Sequence, residues 1–101
     1  MSMSDPGRDP PYRVHASTVI AELIRDLQRR ASEEGRGDKF LSALRSSYQQ
    51  FTEAPDVFGE PLYRLPGLRM QIRCGVILPL AVDFAVCEDR PLVILKGARL
   101  L

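Results

Sequence analysis

The spacing of hydrophobic residues changes period twice along the chain, and each change marks an element. Residues 12–15, Tyr-Arg-Val-His, alternate large and polar side chains and predict a short opening strand. From Ser17 the spacing becomes three and four. Val19, Ile20, Leu23, Ile24, Leu27 and Ala31 fall on one stripe of a helix of roughly five turns. Ser17 or Thr18 can cap it, because a hydroxyl accepts from an orphan backbone N–H. Gly35-Arg36-Gly37 ends it, since glycine tolerates the left-handed backbone of a helix terminus. Asp38 is expected to cap a second helix with Phe40, Leu41, Leu44, Tyr48 and Phe51 on its stripe, and Ala54-Pro55 stops that helix. The short link predicts an antiparallel helical hairpin.

The period then drops to two. Leu68, Met70, Ile72 and Cys74 alternate with Arg69, Gln71 and Arg73, which predicts a half-buried strand with its apolar side towards the helices. Leu80, Val82, Phe84 and Val86 alternate with Ala81, Asp83, Ala85 and Cys87 as a second strand. Residues 88–91, Glu-Asp-Arg-Pro, are a turn, and the apolar run 92–95 is a third strand. The order is strand, helix, helix, strand, strand, strand: an α+β domain whose helical hairpin packs on an antiparallel sheet, completed by a three-stranded meander. The Pro, Gly, Asp and Ser of residues 1–11 have almost nothing to bury, so the expectation is a disordered tail before a single domain over 12–101.

Composition narrows the function classes. The chain has 101 residues, enough for one modest core. Its net charge of +1 demands neither nucleic acid nor membrane. Residues 1–60 carry eight basic and ten acidic side chains, and residues 61–101 carry six and three, so the second part is mildly basic and suits an anionic target. Two cysteines without a CxxC pair and a single histidine cannot assemble a zinc site, and no metal or cofactor is expected. Cys74 and Cys87 lie in apolar runs and read as buried, reduced thiols of a cytoplasmic protein. Nothing reads as a secretory leader or a membrane span.

The element order and some local wording resemble the RelE/ParE proteins, also called plasmid-stabilisation proteins. The resemblance covers residues 12–99. It rests on the Tyr-Arg-Val strand, the helical hairpin, the phrase Phe-Gly-Glu-Pro-Leu-Tyr-Arg-Leu-Pro-Gly-Leu at 58–68, and the hairpin Pro-Leu-Ala-Val-Asp-Phe-Ala-Val at 79–86 followed by Glu88-Asp89. It implies the toxin of a type II toxin–antitoxin system, neutralised by a cognate antitoxin. One branch of the family cuts mRNA on the ribosome, and another poisons DNA gyrase. The fold it implies is the hairpin-on-sheet arrangement already read from the pattern.

The mRNA-cutting branch works without metal, with basic side chains on the phosphate and a proton-moving group. Arg69, Arg73, Lys96 and Arg99 are the candidates for those basic roles. As strand residues, Arg69 and Arg73 would share one side about 13 Å apart, with Asp83 on that same face by parity. They either hold phosphates or form a solvated face with a salt bridge to Asp83. Where cutting members carry an arginine, this chain has Ala81, and no tyrosine or histidine follows Arg99 as acid or base. His15 and Tyr63 are the remaining candidates, Tyr63 in a loop. An active endoribonuclease and a degenerate member that keeps only the fold are therefore the alternatives to a toxin acting by contact. Ser46 and Ser47 lie mid-helix without a base. Arg25, Arg29 and Arg36 are interleaved with acids, as on a solvated face. An antitoxin is expected on the exposed side of the sheet, a mixed face of Arg69, Gln71, Arg73, Ala81, Asp83 and Ala85, and in the cleft beside the helical hairpin. Leu100-Leu101 is expected either to pack back on the core or to contact a partner, and an open sheet edge offers a route to a homodimer.

Overall fold

The computed structural model describes residues 11–101, so the expected tail falls, apart from Pro11, outside the described residues. The opening strand β1 is Arg13–His15, and the two helices follow as α1, Thr18–Glu33, and α2, Gly37–Glu53. Ser17 caps α1, its hydroxyl accepting from the Ile20 amide at 3.2 Å. Asp38 does not cap α2. The cap position is Arg36, which makes no side-chain cap bond, and Asp38 lies in the first turn, where its charge still favours the positive end of the helix. Gly35, with φ of 75°, supplies the left-handed backbone that reverses the chain.

Four strands complete the chain: β2, Glu60–Leu65; β3, Met70–Ile77; β4, Leu80–Cys87; and β5, Leu92–Leu100. The pattern predicts no strand at 60–65. It is there, as the edge of a five-stranded sheet of order β1-β5-β4-β3-β2. β1 pairs with β5 in parallel and the other pairs are antiparallel, so the sheet is mixed rather than wholly antiparallel. Leu68 and Arg69 do not belong to β3. Leu68 ends a 3-10 turn, Pro66–Leu68, and Arg69 follows it in the left-handed region at φ 52°.

Both helices lie on one side of the sheet. Ile24, Leu27 and Ala31 of α1 and Phe40, Ala43 and Phe51 of α2 form the core with Leu80, Val82, Phe84 and Val86 of β4 and Val93 and Leu95 of β5. The α2 stripe is rotated from the expected one: Ala43 and Ser47 are buried, while Tyr48 is exposed. Leu100 packs against the core and Leu101 is half exposed. No helix is long and apolar enough to cross a membrane among the described residues.

Candidate functional site

The second side of the sheet carries no helix among the described residues, and the strand register says which side chains occupy it. Residues directly opposite each other on neighbouring strands point to the same face. Phe84 of β4 is in the core, and it stands opposite Arg73 of β3 and Leu95 of β5. Arg73 and, two residues away, Gln71 therefore point to the helix side. Met70, Ile72 and Cys74 point to the open side, opposite Cys87, Ala85 and Asp83. This reverses the facing expected of β3. Asp83 is on the open face, but Arg73 and Gln71 are not beside it.

The physical reason lies in the segment between α2 and β2. Beyond the helices, β3 is covered by Phe58 and Gly59. The Phe58 ring sits over Gly75, where an added Cβ would come within 2.3 Å of it. Arg73 is buried, and its guanidinium donates to the carbonyl oxygens of Phe58 at 2.9 Å and Gly59 at 3.0 Å and to Gln71 Oε1 at 2.8 Å. A buried arginine is tolerable when its donors are used in this way. It has no reach to a phosphate on the open face.

Three rows cross that face. Tyr63, Ile72, Ala85, Ile94 and His15 form an apolar row with a phenol at one end and an exposed imidazole at the other. Glu60, Cys74, Asp83 and Gly97 form a polar row beside it, and Val76, Ala81 and Arg99 the third. Tyr63 is 58% exposed and belongs to β2, not to a loop. Arg99 turns towards the polar row, where its Nη1 donates to Asp83 Oδ2 at 3.3 Å and its Nη2 lies 3.9 Å from Cys74 Sγ. Burial, followed by a hydrogen bond to Asp83, pushes the Cys74 thiol above its ordinary pKa, while Arg99 pulls it down. Both cysteines are free; Cys87 is buried and Cys74 half-buried.

The remaining basic candidates are dispersed. Lys96 is the extra residue where β5 bulges against the Asp83–Phe84 step, and it is exposed. Arg69 sits at the loop end of β3, near Glu88. Arg64 is clamped by Glu88 through two bonds, Nη2 to Oε1 at 2.7 Å and Nε to Oε2 at 2.5 Å. Glu88 is held below the usual carboxylate range by that bond, and Arg64 is raised by the same partner. Arg69, Arg73, Lys96 and Arg99 are thus not brought together on one surface. What is brought together is an apolar row bordered by a neutralised Arg99–Asp83 pair. The alternation of β3 gave no sign of it, because that pattern reads the same whichever face points to the helices. No group of three or more metal-ligating side chains is present among the described residues.

Compared with protein-family models, with curated proteins and with solved structures, the chain matches none.

Proposed function

We propose that this chain is the toxin of a type II toxin–antitoxin pair, cytoplasmic and neutralised by a cognate antitoxin. In this reading it acts by contact on translation or on DNA gyrase rather than by cutting mRNA. The carrying observation is the sheet face opposite the helices. Both helices lie on one side, and on the other the row from Tyr63 to His15 ends in two exposed side chains within a partner's reach, while Ile72 and Ala85 between them are buried. The resemblance in element order to RelE/ParE proteins supplies the toxin identity.

Binding is favoured over cleavage by the state of the cations. Arg73 is spent on backbone carbonyls and Arg99 is paired with Asp83. Phosphoryl chemistry without metal needs free cations converging on one phosphate.

The test is inducible expression with and without the product of the neighbouring small gene. Growth arrest relieved by that product, together with tight co-purification, is expected. Translating ribosomes should show no new mRNA cleavage, and Arg73→Ala should change toxicity only through reduced folded protein. Growth without arrest and no bound partner would sink the toxin reading. Ribosome-dependent cutting lost with Arg99→Ala would replace contact by catalysis.

A further inference from the structure

We draw no further inference here: the strongest candidate, the exposed apolar patch of Val76, Leu78 and Leu101 at the β3–β4 hairpin end of the sheet, carries nothing because nothing in the structure shows what covers it.

Discussion

The Arg73 guanidinium is fastened to the main chain at Phe58, with Nε donating to the Phe58 carbonyl oxygen at 2.9 Å. A second nitrogen of the same group reaches the Gly59 carbonyl at 3.0 Å. The arginine best placed by pattern to meet a phosphate is instead the clasp that holds Phe58 and Gly59 onto β3. Its removal strands two carbonyls beside a buried space. Arg73→Ala should therefore destabilise the fold by about 3 kcal/mol, since hydrogen bonds to a charged group and the burial of unpaired acceptors each contribute one to three. Arg73→Lys should recover less than half of that, because an ammonium cannot reproduce the planar fork. Equilibrium urea unfolding measures both. A loss below about 0.5 kcal/mol for Arg73→Ala would mean the clasp is ornamental.

Gly59 closes the same contact from the other side. Its φ is 72°, and a Cβ there would stand 2.1 Å from the Cys74 carbonyl oxygen, which is main chain and cannot swing away. Gly59→Ala should cost more than 3 kcal/mol, combining left-handed strain with a backbone collision. Gly35 is the control. Its φ is 75°, but nothing lies within 4 Å of its added Cβ, so Gly35→Ala should cost only about 1 kcal/mol. The difference between the two, read by thermal unfolding, separates collision from strain.

Ser47 is fully buried on the core side of α2, and its Oγ has no hydrogen-bond partner among the described residues. A hydroxyl desolvated without a partner opposes folding, and alanine is a better helix former. Ser47→Ala should stabilise the protein by about 1 kcal/mol, or roughly 4–8 °C in Tm for a domain of this size. A drop in Tm would show that the hydroxyl has a partner in solution.

The helices were legible from the chain because their evidence is redundant: period, cap and stop agree for α1, and Ile24, Leu27 and Ala31 are buried as the stripe requires. β4 was legible for a similar reason, since Leu80, Val82, Phe84 and Val86 do face the core. β2 was not. Pro61 and the irregular pairing between Pro61 and Tyr63 break its alternation, and nearly all of it is exposed at the sheet edge, where no burial pattern is imposed. The facing of β3 was illegible on different grounds. Alternation gives two faces but not which of them is covered, and here the cover is a loop held by an arginine. The partner of Asp83 was missed because the bulge at Lys96 sets the register of β5 and brings Arg99, rather than Arg69 or Arg73, to that carboxylate.

Glu88 lies at the end of β4 with its carboxyl held below its ordinary pKa by the bonded Arg64 guanidinium. A lowered folded-state pKa means the pair contributes stability above the pKa of the unfolded carboxyl, and that contribution is lost as pH falls through the folded value. Glu88→Gln should therefore flatten the acid limb of a stability–pH curve and leave it unchanged where the carboxyl is already protonated. The effect is small because both partners are solvated. Arg64→Ala should produce the same flattening, and the double variant should add nothing further.

Cys74 reports on the open face through its reactivity. The thiolate is the nucleophile, so the alkylation rate at a fixed pH follows the thiolate fraction. Burial raises the thiol pKa first, and Asp83 raises it further as a hydrogen-bond partner and as a negative charge. Arg99 acts in the opposite sense through its own hydrogen bond and its charge. Asp83→Asn weakens the raising influences. The iodoacetamide rate at Cys74 should increase several-fold near pH 8, and the rate–pH curve should shift to lower pH. Arg99→Ala removes the lowering influence, so its curve should shift upward and its rate fall. Site-resolved mass spectrometry follows Cys74 without altering Cys87, whose burial keeps it slow in every variant. The two substitutions act on opposite sides of one thiol, so a general opening of the sheet would accelerate both. Faster alkylation in Arg99→Ala would therefore mean that access, not charge, governs Cys74, and that Asp83 and Arg99 do not hold the thiol between them.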